Sequence, residues 1–336
     1  MFALYSPIIE LHASCVLNEQ GIPMSKKKKP VIGVALGSGA ARGWAHIGVL
    51  NELRNRGIEP AVVCGTSIGA FVGAAYVAGY LEQLHEWVCS LTRRDIIRYM
   101  DVQLFAGGFI TGASQKKMIR EKLGDVKIES LDIPFAAVAT NLKTGREVWF
   151  QQGSLVDAVH ASIALPGLFS PVHIKEQWLV DGGLVNPVPV SVCRALGAEV
   201  VIAVNLNSDI VGKHLKEFNF EEEEEEKKLD IGNLSIMSFM DQLKNNLFKD
   251  EESFVSRLWT KQQEKPGVLD VLVGSINIMQ DRITRSRLAG DPPDLVLSPR
   301  ISNLALLDFD KAEQAIEEGR ACVERMATSL DFILQQ

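Results

Sequence analysis

No two of the five cysteines, Cys15, Cys64, Cys89, Cys193 and Cys322, form a C-x-x-C pair, and their number is odd. That argues against a disulfide framework or a zinc ribbon and for small buried thiols in a reducing compartment. An excess of positive charge is missing too. With 35 Lys and Arg against 42 Asp and Glu, the formal net charge is −7, which disfavours nucleic acid as the main partner. The first residues lack a basic stretch leading into an apolar run and a small-residue cleavage site, so no secretory leader is expected. Met24-Ser25-Lys26 reads as a natural translation start, which makes residues 1–23 an upstream extension, and residues 1–29 together are expected to be a disordered N-terminal segment.

A membrane-spanning helix is not expected either. Ala61 to Leu81 carries no charge and is long enough to span. Gly65, Gly69, Gly73 and Gly79 interrupt it, however, and it opens on Val62-Val63. A buried strand, turn and helix accounts for the whole stretch. What is present in quantity is ordinary: 46% hydrophobic and 23% charged residues exclude global disorder. The length of 336 residues is enough for about two domains.

Val31 to Leu36 is a continuous apolar run of strand length, as in strands covered on both faces. It enters Gly37-Ser38-Gly39-Ala40-Ala41-Arg42-Gly43, and Trp44, Ile47, Leu50 and Leu53 then recur at helical spacing. Leu81 to Leu91, Lys116 to Leu123, Ser154 to Ile163 and Pro189 to Leu196 predict further helices. Phe135–Asn141, Arg146–Phe150, Gln177–Val180, Val200–Val204 and Asp294–Leu297 predict strands, the first two joined as a hairpin. The pattern lapses after Ser208. Glu221 to Glu226 is a like-charge block that predicts a mobile, solvated loop. Helical spacing returns at Leu234–Leu247, Val268–Leu288 and from Ala312 onward. The sum is one α/β domain: a core over 30–206, a charged and helical insertion over 207–265, and 266–336 completing the same domain.

Val62 to Val72 holds the main chemical candidate. Ser67 lies at the centre of Gly65-Thr66-Ser67-Ile68-Gly69, between a predicted strand and a small-residue helix. That is the nucleophile-elbow pattern, with the hydroxyl at the apex of a strained turn beside a helix N-terminus. A tight turn whose serine N-caps the helix fits the same five residues. A nucleophilic serine needs a base. Of His12, His46, His85, His160, His173 and His214, only His214 follows Asp181, and it borders the acidic block. A Ser-His-Asp triad in the order serine, acid, histidine is therefore disfavoured. His46 and His160 read as helix residues with structural partners, and His173 as a strand-end residue. Asp181 ends a strand and precedes Gly182-Gly183, which makes it the better base. A turn aspartate bonded to its own backbone is the competing reading.

The Gly37–Gly43 loop offers backbone N–H groups suited to an oxyanion. Its spacing is G-x-G-x-x-x-G, not the dinucleotide fingerprint, and no G-K-[ST] ending makes it a phosphate loop.

The glycine loop with Arg42-Gly43, then G-x-S-x-G, then Asp181-Gly182-Gly183, in that order, resembles the patatin-like phospholipase family. Ala139–Gly145 and Ala161–Gly167 resemble it as well, and the likeness runs from about Val31 to Val204. The wider chain, including Arg285 to Asp294, is similar to bacterial RssA-type members. The resemblance implies a three-layer α/β fold with a mostly parallel central sheet flanked by helices. It implies Ser67 as nucleophile and Asp181 as general base of a dyad without histidine. The amides of Gly37, Ser38, Gly39 and Ala40 would form the oxyanion hole, with Arg42 supporting the loop and Gly65, Gly69, Gly182 and Gly183 supporting the motifs. Many members carry a denser glycine run where this chain has Ser38 and Ala40. The implied activity is serine-dependent hydrolysis of phospholipid or other acyl esters through an acyl-enzyme, with neither metal nor organic cofactor. Such an enzyme would be cytoplasmic, in peripheral contact with the inner membrane face. A regulatory or scaffold protein with little turnover would keep the same fold. Phe105–Ile110 and Leu165–Phe169 are candidate walls of an acyl site.

Overall fold

The computed structural model describes residues 29–99, 113–208 and 268–335. Two units divide the chain, Met1–Pro30 and Val31–Gln336; all elements below belong to the second. The proposed extension, Phe105–Ile110, His214, the acidic block and Leu234–Leu247 lie outside the described residues.

Four apolar segments form the parallel heart of the sheet: β1 (Ile32–Leu36), β2 (Val62–Thr66), β3 (Phe135–Asn141) and β7 (Val200–Val204). Their side chains alternate between two apolar layers, as the two-residue period of a strand requires. Val34, Leu36, Val63, Ala137 and Ile202 pack on one face, and Ala35, Cys64, Ala136, Val138 and Ala203 on the other. β8 (Leu295–Leu297) adds a parallel strand beyond β7. β4 (Glu147–Phe150), β5 (Val172–Ile174) and β6 (Gln177–Asp181) enter antiparallel. The order is β5-β6-β3-β2-β1-β7-β8, with β4 on β3.

Helices cover both faces. On the first lie α1 (Ala45–Asn55), α2 (Ile68–Val77), α3 (Leu81–Cys89), α5 (Ala113–Leu123), α6 (Leu155–Ser162) and α9 (Ala312–Arg325). α7 (Val190–Ala195) covers the second, joined by Leu288 of α8 (Val268–Gly290). α4 (Arg93–Tyr99) and a last helix, Ala327–Gln335, complete the set and carry no strong signal in the sequence. Trp44 belongs to a 3-10 turn, Ala40–Trp44, ahead of α1 rather than to the helix itself. His173 sits in the middle of β5, a strand too short to show a period. Cys64, Cys193 and Cys322 are buried, Cys89 is half-buried, and all four are free thiols.

The uncharged stretch from Ala61 to Leu81 is divided into β2, the Ser67 turn and α2. Among the described residues no helix is long and apolar enough to cross a membrane.

Pairing along β3 positions the site. Val138 pairs with both Thr66 and Trp149, and Thr140 pairs with both Glu147 and Val180. A strand residue has one partner per edge, so β4 takes one edge of β3 while β2 and β6 share the other. Consecutive residues Val138 and Ala139 pair with Thr66 and Asp181. The C-terminal ends of β2 and β6 therefore meet on neighbouring rungs.

Candidate active site

Ser67 leaves β2 at φ 57, ψ −126, a strained backbone for a non-glycine residue. The turn can close only because its neighbours lack side chains. A Cβ on Gly69 would lie 2.2 Å from the Leu36 carbonyl oxygen, and one on Gly65 2.4 Å from that of Gly69. A second residue locks the turn: the Ser67 amide donates to Ser162 Oγ at 2.8 Å, and Ser162 Oγ donates to the Val138 carbonyl at 2.6 Å. The Ser67 hydroxyl makes no capping bond to α2. It donates instead to Oδ2 of Asp181.

Asp181 is fully buried, and both of its oxygens are used. Oδ1 accepts the Gly183 amide at 2.7 Å, so the aspartate bonds its own turn and Ser67 together. Its backbone is pinned as well, N–H to the Ala164 carbonyl at 2.9 Å and C=O from Thr140 Oγ1 at 2.8 Å. Burial pushes the Asp181 carboxyl up to about 7, against the opposing pull of its hydrogen bonds from Ser67 and Gly183.

The four loop amides divide into two pairs. Gly37 N–H donates to the Val204 carbonyl at 3.1 Å, and Ser38 N–H to that of Pro187 at 2.8 Å. Both are spent on holding the loop, which leaves Gly39 and Ala40, whose amides have no acceptor among the described residues. Ala40 takes φ 48, a left-handed conformation that glycine would adopt without cost. Ser38 uses its side chain for anchoring: Oγ donates to Gln280 Oε1 at 3.0 Å.

Arg42 is buried at 1% exposure beneath the loop. Its Nε donates to the Gly39 carbonyl and its Nη2 to Asn277 Oδ1, both at 3.3 Å. Desolvation pulls its pKa down to about 9, still a cation at neutral pH. His46 Nε2 lies 2.8 Å from the Gly37 carbonyl. A carbonyl only accepts, so Nε2 carries the hydrogen. Burial holds the pKa of His46 down at about 4, and the ring is neutral. His160 is likewise lowered to about 4, by burial and then by Lys116. His173 packs against Trp178, with ring centroids 4.7 Å apart and planes tilted by 47°. Among the described residues no histidine bonds Ser67 or Asp181.

Two clefts meet at Ser67, sharing Ala40, Ser67 and Leu165 in their walls. One is apolar, about 100 Å3, between Trp44, Phe71, Trp87, Met118, Leu168 and Phe169. The candidate segment Leu165–Phe169 thus lines it, with Gln115 as a buried polar group in its wall. The other is about 10 Å3 and mixed in lining, with Leu165, Ile276 and Leu306 beside the Ser38–Ala40 loop, Asp181 and the α8 residues Asn277 and Gln280. Gln280 escaped the reading of motifs. Its only signal was polar Gln280 and Thr284 within the apolar four-residue stripe Ile276, Gln280, Thr284, Leu288 of α8.

The patatin-like phospholipase family model matches residues 34–194. An uncharacterised NTE-family protein of Mycobacterium bovis is 33% identical over 325 residues, covering 87% of this chain and 90% of that protein. The chain belongs to the patatin-like phospholipase family. Patatin-like phospholipase domain-containing protein 6 of Mus musculus is 33% identical over 184 residues, 53% of this chain and 14% of that protein. The neuropathy target esterase sws of Drosophila melanogaster matches at the same identity, over 53% of this chain and 13% of its own length. Membership in the patatin-like phospholipase family supports lipid acyl hydrolase activity. The family model spans the glycine loop, Ser67 and Asp181 and ends before α8, so Gln280 lies outside it.

Proposed function

We propose that this patatin-like protein is a serine-dependent lipid acyl hydrolase, of phospholipase A or lysophospholipase type, working through a Ser67–Asp181 dyad. One observation carries the reading: the strained elbow presents the Ser67 hydroxyl to Asp181 Oδ2 at the mouth of an apolar cleft. Asp181 takes the hydroxyl proton as Ser67 Oγ attacks the ester carbonyl. The free amides of Gly39 and Ala40, with the first N–H groups of α2, stabilise the oxyanion that forms. Collapse breaks the ester bond, and the alcohol leaves with the proton from Asp181. Water then attacks the acyl-Ser67, Asp181 again taking the proton and returning it to Oγ.

The apolar cleft suits the acyl chain, since aromatic and aliphatic walls give up little on desolvation. Free thiols and an acyl-ester substrate held in bilayers favour a cytoplasmic protein acting peripherally at the inner membrane face. The test is fatty-acid release from mixed micelles of phosphatidylcholine and lysophosphatidylcholine. Wild-type protein is expected to release fatty acid and Ser67→Ala to release none. Folded wild-type protein without release would point to a scaffold that keeps the fold without turnover.

A further inference from the structure

The smaller cleft has a chemistry of its own. Gln280, at 5% exposure, projects from α8 into it. Its Oε1 accepts from Ser38 Oγ at 3.0 Å and from Asn207 Nδ2 at 3.3 Å. With Oε1 turned to these two donors, Nε2 takes the other side of the amide group. Nε2 is thereby aimed away from the anchor and has no acceptor among the described residues.

Nε2 lies against Gly183. A Cβ there would stand 2.4 Å from Gln280 Nε2 and 3.0 Å from Asp181 Oδ1. The amide nitrogen thus lies close to the Asp181 carboxylate, and Gln280, Asp181 and Ser67 together line one small space. At about 10 Å3 that space has room for about one water molecule and none for a lipid headgroup.

We propose that Gln280 Nε2 holds the water that deacylates Ser67, an inference that rests on the reading of Ser67 as nucleophile. Once Ser67 is acylated its Oγ has no hydrogen to donate, and Asp181 Oδ2 is free to accept one from water. The water oxygen accepts from Gln280 Nε2 through one lone pair and attacks the acyl carbonyl carbon with the other. Asp181 takes the water proton as the new C–O bond forms. The C–Oγ bond then breaks, the proton passes from Asp181 to Ser67 Oγ, and the free acid leaves. Gln280 gives up no proton. Beyond anchoring Ser38, it sets the position of the nucleophile in the second half-reaction.

Stopped-flow hydrolysis of p-nitrophenyl butyrate by wild type and Gln280→Met separates the two half-reactions. The variant, which also loses the Ser38 anchor, is expected to release one equivalent of p-nitrophenolate in a burst and then to show a steady-state rate that falls about 10–10²-fold more than the burst rate. kcat and KM should fall together, and intact mass should show a butyryl adduct. Hydroxylamine, which needs no positioned water, should restore turnover. A variant that turns over at the wild-type rate, or whose burst and steady-state rates fall in proportion, would overturn the proposal. Fluorophosphonate labelling at the wild-type rate verifies that the elbow of the variant is intact. If Gln280→Met does not fold, Gln280→Asn, which retracts the amide by one methylene, is read in the same way. Wild-type protein that neither bursts nor labels would refute the serine-esterase reading and this inference with it. Normal wild-type labelling beside an unslowed Gln280 variant would refute this inference alone.

Discussion

Ser67 Oγ donates to Oδ2 of Asp181 across 114 residues of sequence, while Oδ1 of the same carboxylate takes the Gly183 amide. The contact follows from β3, whose neighbouring residues Val138 and Ala139 pair with Thr66 at the end of β2 and with Asp181 at the end of β6. Ser67 and Asp181 are thus held by the hydrogen-bond ladder of a sheet rather than by flexible loops.

Asp181→Asn keeps the acceptor for Gly183 and removes the base. We expect kcat/KM for ester hydrolysis to fall by about 10²–10⁴-fold, with an unchanged far-ultraviolet circular dichroism spectrum. Near-normal turnover would mean that another group takes the proton.

Asp181 also sets the pH dependence. Its carboxyl is held at about 7, so the ionised base is the minority form below that pH. The rate kcat/KM should fall about tenfold per pH unit on the acid side and level off above pH 7. Stability runs the other way. Between the ordinary carboxyl value of 3.8 and about 7 the folded state holds a proton that the unfolded chain releases. This contribution to stability is full below pH 3.8 and is lost as pH rises through 7. Denaturant unfolding at pH 5 and pH 8 checks it: the loss between the two should be smaller in Asp181→Asn than in wild type.

Ser162→Ala removes the acceptor of the Ser67 amide and the donor to Val138 in one step. Leaving a buried amide unpaired should cost about 1–3 kcal/mol in urea unfolding. The relaxed elbow should also label more slowly with a fluorophosphonate, although Ser162 touches no substrate.

Leu168→Trp fills part of the apolar cleft. Comparison of p-nitrophenyl acetate with the dodecanoate should show kcat/KM for the long ester falling at least tenfold more than for the short one. Equal effects on both would place the acyl chain elsewhere.

The core was readable because its strands are buried on both faces and appear as unbroken apolar runs. The elbow was readable because close strand–helix approach demands Gly65 and Gly69, whose missing side chains leave a mark in the sequence. Pairing is what local pattern omits. That β2 and β6 meet end to end on β3 depends on pairings across 72 and 42 residues, and the Gly37 and Ser38 amides are consumed by Val204 and Pro187 across 167 and 149. Gln280 lies still farther from its anchor Ser38, at 242 residues, in a helix whose polar members look at first like a solvated face. β5, with three residues, is below the length at which alternation can be seen.

The most direct test of the account is mass mapping of a fluorophosphonate adduct on the folded protein. The account predicts stoichiometric modification of the peptide containing Ser67, abolished in Ser67→Ala and slowed in Asp181→Asn. Modification at another residue, or none in protein that still hydrolyses acyl esters, would contradict it.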